Sequence, residues 1–323
     1  MYFVGVDLGG TNTRAGLVSE SGKIIAMEGL PTSRTEGYRR IVADMADLVR
    51  GIVKGENLNL SDIECIGIGV PGSINRRQGV LIYANNFDFS DAPIAEEMRR
   101  HIDLPLYLQN DANCAALGES VAGAAKDVSD SITITLGTGI GGGIVLGGKV
   151  FSGFNDAAGE LGHTVIVSGG EPCTCGRKGC WEAYASATAL IRQTKSAARA
   201  HPDSIINRLA DGDLRTIDAR TAFDAEKAGD SAGAEVVGNY IRYLAEGLTD
   251  LVNIFTPELI VIGGGVSNQG ENLLGRLRTL VEENIYFKGE PRTRIVRARL
   301  GDRAGIVGAA MMGRYEADVS GAG

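Results

Sequence analysis

The sequence predicts a duplicated α/β protein of two domains with a cleft between them, and three observations carry that prediction. A weak internal repeat aligns Asp7-Leu8-Gly9-Gly10-Thr11-Asn12-Thr13-Arg14-Ala15-Gly16-Leu17-Val18 with Thr135-Leu136-Gly137-Thr138-Gly139-Ile140-Gly141-Gly142-Gly143-Ile144-Val145-Leu146. A second echo sets Ile63-Glu64-Cys65-Ile66-Gly67-Ile68-Gly69-Val70-Pro71-Gly72 beside Glu258-Leu259-Ile260-Val261-Ile262-Gly263-Gly264-Gly265-Val266. Amphipathic helical patterns fill the intervals. Identity between the copies is low, so the shared patterning carries the argument. The 323 residues suffice for two such halves, each with its own core.

The elements follow in order. Each copy of the first repeat reads as an apolar strand, a Gly/Thr turn and a second strand. Short turns at Ser21-Gly22 and Gly147-Gly148 then lead to third strands from Lys23 and Lys149, and glycine suits hairpin turns that need positive φ. Residues 36–54 read as an amphipathic helix. The members of the second echo are strands of the buried type, each ending in a Gly-rich turn. Leu104 to Asn110 reads as a strand running directly into an Ala-rich helix over 112–122. Further helices are expected at 183–199, 232–255, 271–285 and 303–318, with short surface helices within 200–230. The tail 320–323 reads as mobile. The expected domains are 1–112 with 303–323, and 113–302.

Composition excludes several classes. A net charge of -8 argues against nucleic acid as a partner. Met1-Tyr2-Phe3-Val4 enters a strand without a basic leader, and no stretch is long and apolar enough to span a bilayer. Five cysteines in so long a chain do not make a secreted disulfide framework, so a reducing cytoplasm is the expected location. Cys65 and Cys114 read as small core residues, and His101 and His201 as surface residues.

The most specific chemistry lies in Cys173-Thr174-Cys175-Gly176-Arg177-Lys178-Gly179-Cys180-Trp181-Glu182, with Gly159-Glu160-Leu161-Gly162-His163 upstream. Three thiols and an imidazole make a Cys3His set, enough for one closed tetrahedral Zn²⁺. With all four positions filled by protein, such a metal is structural. It would fix the carboxylates of Glu160 and Glu182, which bracket the cluster. His163 can ligate through one ring nitrogen and offer the other to a hydroxyl.

Two turns have phosphate-binding character. Asp7 to Arg14 offers backbone N–H groups and hydroxyls, and Asp7 is placed to hold Mg²⁺ through water. Gly137-Thr138-Gly139 would grip the same polyphosphate from across the cleft. Glycines serving hairpin geometry alone are the alternative. Neither turn is a Walker A loop, since the Gly-Lys-Ser/Thr ending is missing. At the start of the Ala-rich helix, Asp111 reads either as an N-cap or as a base for phosphoryl transfer to an alcohol. The helix dipole would keep it ionised. Asn110 beside it can both donate to and accept from a sugar hydroxyl.

Together these residues resemble the ROK family (repressor, open reading frame, kinase), and within it bacterial glucokinases, along essentially the whole chain. The marks are Cys173-x-Cys175-Gly176-x-x-Gly179-Cys180-x-Glu182, Glu160-x-Gly162-His163, Asp7-Leu8-Gly9-Gly10-Thr11, Gly137-Thr138-Gly139 and Gly263-Gly264-Gly265. The resemblance implies the actin-like ATPase (ribonuclease H-like) fold, with the last helix returning to the N-terminal domain. It implies an ATP-dependent hexose kinase of glycolysis using catalytic Mg²⁺, with Asp111 as base toward the sugar 6-hydroxyl. Gly72, Asn86, Asn110, Asp111, Glu160, His163 and Glu182 would contact the sugar. Asp7, Gly9, Gly10, Thr11, Asn12, Arg14, Gly137, Thr138, Gly139 and Gly263 to Gly265 would hold ATP. A homodimer or homotetramer is implied as well. Two segments depart from the family pattern. Pro71-Gly72-Ser73-Ile74-Asn75 stands where members often read Pro-Gly-Pro-Val-Asp, and Asn86-Phe87-Asp88-Phe89 lacks the Asn-Leu and Gly-Trp of many glucokinases. The hexose therefore stays open among glucose, mannose, N-acetylmannosamine, N-acetylglucosamine, fructose and allose. A sugar-binding regulator without turnover is the alternative. Such regulators carry a helix-turn-helix before the first phosphate motif, and motif residues starting at Asp7 speak for the kinase.

Overall fold

The structure, a computed structural model, describes residues 1–316; the expected tail at 320–323 and the end of the expected helix at 303–318 lie outside the described residues. The chain opens with β1 (Tyr2–Leu8), β2 (Asn12–Ser19) and β3 (Ile24–Pro31), the expected meander, then α1 (Tyr38–Gly55) and β4 (Ile63–Val70). Three short strands follow, β5 (Ser73–Asn75), β6 (Val80–Tyr83) and β7 (Ser90–Ala92), with α2 (Ile94–His101) after them. Next come β8 (Leu106–Asn110), α3 (Asp111–Ala122), β9 (Ser131–Leu136), β10 (Ile140–Leu146) and β11 (Lys149–Val150). Helices dominate the remainder: α4 (Glu182–Ala185), α5 (Ala187–Ala200), α6 (Ile205–Leu209), α7 (Thr221–Lys227) and α8 (Ser231–Phe255). The described chain closes with β12 (Leu259–Gly263), α9 (Glu271–Asn284), β13 (Arg294–Arg297) and α10 (Ala304–Glu316).

The duplication is visible in topology. One five-stranded sheet has the order β3-β2-β1-β4-β8 and the other β11-β10-β9-β12-β13. The strands of the second echo, β4 and β12, thus hold the same place in each sheet. Each half uses a meander and then parallel strands: β1 with β4, β4 with β8, and β12 with β13. The third strand of the second meander is only two residues long. The sheet β5-β6-β7 and helix α2 were not anticipated; their segments are too short for a periodicity to stand out.

Two compact units emerge. Among the described residues, unit 1 comprises 1–133, 143–159 and 299–316; unit 2 comprises 134–142 and 160–298. The expected division after residue 112 separates α3 from α10, whereas these two helices pack within one unit. Their approach is at backbone range: a Cβ on Gly118 would overlap the Ala304 carbonyl, and one on Gly308 the Cys114 carbonyl. Gly5 of β1 and Gly67 of β4 meet the carbonyls of Ile306 and Ala309 in the same way. The return of the chain into unit 1 is pinned by Glu119, fully buried, whose carboxylate accepts from Leu300 N at 2.8 Å, Arg299 N at 3.1 Å and Ala124 N at 2.7 Å. On the opposite face of that sheet α1 buries Ile41, Met45, Val49 and Ile52 against Val4, Val6, Ile66 and Ile68. Cys65 and Cys114 are core residues as expected. His201 is exposed, but His101 is half-buried, its Nε2 3.9 Å from Glu97. No helix among the described residues is long and apolar enough to cross a membrane.

Candidate functional site

In unit 1 the carboxyl ends of three neighbouring parallel strands gather the predicted residues. β1 ends at the Gly9–Asn12 turn, β4 at Pro71-Gly72, and β8 at Asn110-Asp111; Asp7 pairs with Gly69, and Val70 with Asn110. Ligand sites of open α/β sheets form at such edges.

The first turn is braced from within and by Thr32. Gly9 N donates to Asn12 O at 3.0 Å and Thr32 N to Thr11 O at 2.9 Å, while Thr32 Oγ1 donates to Gly9 O at 2.7 Å. Thr11 and Asn12 are exposed. Asp7 pairs with Arg14 across β1 and β2, and a Cβ on Gly305 would lie 3.4 Å from its carboxylate, which therefore rests over the start of α10. Burial raises the Asp7 carboxyl above the usual range; Arg14 opposes the rise and Asp302 adds to it. Arg14 itself pairs with Asp302 at 2.7 Å.

At the β8–α3 junction the structure moves the cap by one residue. Asn110, not Asp111, is the N-cap: its Oδ1 accepts from Ala112 N at 2.9 Å and Asn113 N at 3.2 Å. Asp111 is the first helical residue, and its Oδ1 also accepts from Ala112 N at 2.8 Å. Capping therefore does not require the Asp111 carboxylate. Asn110 Nδ2 donates to Gly72 O at 3.3 Å. Gly72 has φ +87°, and a Cβ there would overlap the Tyr83 carbonyl, so the Pro71-Gly72 bend admits only glycine. A Cβ on Gly10 would come within 3.0 Å of the Asn86 side chain, which puts Asn86 against the turn at 9–12. Beneath these residues lies a buried polar network that sequence reasoning missed. Gln109, fully buried, accepts from Asn110 N at 2.8 Å and Asn113 Nδ2 at 3.2 Å, and donates to Ser152 Oγ at 3.3 Å. Arg76 reaches the same hydroxyl at 3.2 Å and binds Asp156 through its backbone N–H at 3.1 Å. Its members are up to 80 residues apart, so no local pattern marks it.

Unit 2 holds the other predicted groups. His163, Cys173, Cys175 and Cys180 each bring one donor atom into a cluster within 4.8 Å. Cys173 Sγ lies 3.6 Å from His163 Nδ1, and Cys175 Sγ 3.6 Å from Cys180 Sγ. Tetrahedral Zn²⁺ with bonds of about 2.3 Å separates its sulfurs by about 3.8 Å, so the donor set fits that ion. The turn forms because Gly176 N donates to Cys173 O at 3.0 Å and Cys173 N to Arg177 O at 2.9 Å. With Nδ1 toward the thiols, His163 keeps Nε2 for another partner. Trp181 is fully buried, its indole N–H donating to Tyr243 O at 2.9 Å.

The second glycine turn lies against this loop. Glu182 Oε2 accepts from Ile140 N at 2.9 Å, and a Cβ on Gly139 would overlap that same oxygen. Ala187 N donates to Gly137 O at 2.9 Å. The third glycine run adjoins it: Gly264, at φ +81°, meets the backbone of Leu136, just ahead of Gly137. Glu160 is exposed, three residues before His163. Sequence reasoning placed Glu182 at a sugar and did not foresee its bond to Ile140; the only hint was a glycine at 139.

Comparison with known proteins gives the family and the fold. The ROK family model matches residues 3–315. A glucokinase of Halalkalibacterium halodurans is 37% identical over 309 residues, covering 95% of this chain and 93% of that protein. The structure of a ROK family glucokinase from Streptomyces griseus, solved in complex with glucose and AMPPNP, superposes with a TM-score of 0.82 at 36% identity, covering 97% of this chain and 99% of the other. A putative xylose repressor of Caldicellulosiruptor sp. is 31% identical over 310 residues, 96% of this chain and 77% of the repressor. The fold is that of ROK glucokinases, the actin-like ATPase fold. The chain belongs to the ROK family.

Proposed function

We propose that this protein is an ATP-dependent hexose kinase that phosphorylates the sugar 6-hydroxyl, with Asp111 as general base. The observation that carries the reading is the gathering of Asp7–Arg14, Gly72, Asn86 and Asn110-Asp111 at the carboxyl ends of β1, β4 and β8. Asn110 caps α3, and Asp111 follows it as the first helical residue, at the helix N-terminus where a carboxylate keeps its charge. In the proposed step the 6-hydroxyl oxygen forms its bond to the γ-phosphorus as Asp111 accepts the hydroxyl proton. The bond from that phosphorus to the β-phosphate bridging oxygen breaks, and ADP leaves. Asn110, Asn86, Glu160 and His163 Nε2 would orient the sugar. The glycine turns at 9–12 and 137–139 would take the phosphates and Gly263 to Gly265 the adenosine. Mg²⁺ held near Asp7 would neutralise developing phosphate charge. Zn²⁺ on His163, Cys173, Cys175 and Cys180 would be structural.

The test is ADP release with ATP, Mg²⁺ and a panel of glucose, mannose, fructose, allose and the N-acetylhexosamines, ranked by kcat/KM. Turnover with at least one hexose is expected. Asp111→Asn should fold and bind sugar but lose about 10²–10⁴-fold in kcat. Retained kcat would rule out Asp111 as base. The relationship to xylose repressors favours, as second reading, a sugar-binding regulator. Sugar binding without ADP release across the whole panel would select it.

A further inference from the structure

We propose that Glu182 is a positioning residue for the nucleotide-phosphate turn, and that the metal-bearing loop sets that turn through Ile140. The inference rests on the phosphate role assigned to residues 137–139. Ile140 leaves the turn as the first residue of β10, and both arms of the metal-binding segment seize it. From one side Glu182, two residues after the ligand Cys180, takes the Ile140 N–H at 2.9 Å. From the other, Gly162, next to the ligand His163, lies so near that a Cβ would overlap the Ile140 carbonyl. A metal joining His163 to Cys180 therefore closes a clamp around one residue, Ile140, gripped at its N–H and at its carbonyl. Gly139 is glycine because the Glu182 carboxylate occupies the place its Cβ would take. Trp181, between ligand and clamp, is fixed by its bond to Tyr243 O and by Gly247 lying flat against the indole. Losing the clamp frees the Ile140 amide and the turn's preferred shape, which the nucleotide must then restore at its own expense in affinity. The sugar-binding residues of unit 1 are not engaged by it.

The test measures Mg²⁺-AMPPNP affinity by calorimetry without sugar, and backbone hydrogen exchange at 137–140, in wild type, Glu182→Ala and Glu182→Gln. Glu182→Ala should weaken AMPPNP about tenfold, the worth of one part-buried hydrogen bond to a charged acceptor, and speed exchange at 137–140 but not at 9–12. Glu182→Gln keeps an oxygen acceptor and should recover most of both. Chelating the metal from wild type should reproduce the exchange pattern and change the fluorescence of Trp181, the only tryptophan. In Glu182→Ala, chelation should add little further exchange at 140. Unchanged AMPPNP affinity and unchanged exchange in Glu182→Ala would overturn the proposal, as would chelation that leaves 137–140 protected. If Glu182→Ala fails to fold, Glu182→Gln and the chelation arm decide. A wild type that does not bind AMPPNP would instead sink the kinase reading, while the exchange data still judge the clamp.

Discussion

The two glycine turns occupy matching places in two sheets of the same strand order, yet they are held in different ways. The turn at 9–12 is tied by its own backbone and by Thr32, the residue just after the strand that completes its meander. The turn at 137–139 also closes on itself, Gly137 N donating to Gly139 O at 3.0 Å, but its bracing comes from Glu182 and Ala187, more than 40 residues downstream, on helices that follow the cysteine loop. Duplication supplied the shape twice. Its support was kept local in one copy and handed to the cysteine loop and the helices after it in the other. A turn braced by nearby residues survives perturbation elsewhere, whereas one braced by distant residues transmits it.

Substitution at Gly139 should break this contrast most strongly. Gly139→Ala forces the new methyl onto the Glu182 carboxylate, so the carboxylate must withdraw from Ile140; AMPPNP affinity should fall by about tenfold or more. Gly137→Ala is its control, because nothing lies within 4 Å of a Cβ there. It should leave exchange at residue 140 unchanged, so any loss of affinity reads the nucleotide itself. A smaller effect is expected at the self-braced turn. Thr32→Val removes the bonds to Gly9 O and Thr13 Oγ1 and should cost about 1 kcal/mol in denaturant unfolding, with exchange faster at 9–12 and unchanged at 137–140. The smallest concerns pH. Burial holds the Asp7 carboxyl above its ordinary range, so its charged form is lost earlier as pH falls. The Mg²⁺ requirement for AMPPNP binding, followed by titration, should steepen on acidification through the upper carboxylate range, and Asp7→Asn should flatten that dependence.

Much of this was legible in the sequence because it is local or repeated. The Gly/Thr turns, the strands β4 and β12 and the Cys3His set each lie within a single short segment of the sequence, and the amphipathic periods of α1, α8 and α9 need only their own segments. What was not legible joins distant residues. Asn110 and Asp111 are both good capping types, and only backbone geometry shows that the helix begins one residue earlier than expected. The Gln109–Ser152–Arg76–Asp156 network and the Glu182–Ile140 bond link positions that share no pattern. β5, β6 and β7 are too brief to declare an alternation.

The seating of α10 has an outcome for biosynthesis. β1 leaves the ribosome well before the helix that covers its Gly5 face, which is translated roughly 300 residues later, tens of seconds at ordinary elongation rates. Through that interval one side of the nascent sheet stays open to water and to chaperones. A stalled chain ending before Ala304 should be captured by a holdase or aggregate, and a peptide spanning 299–316, added in trans, should rescue it.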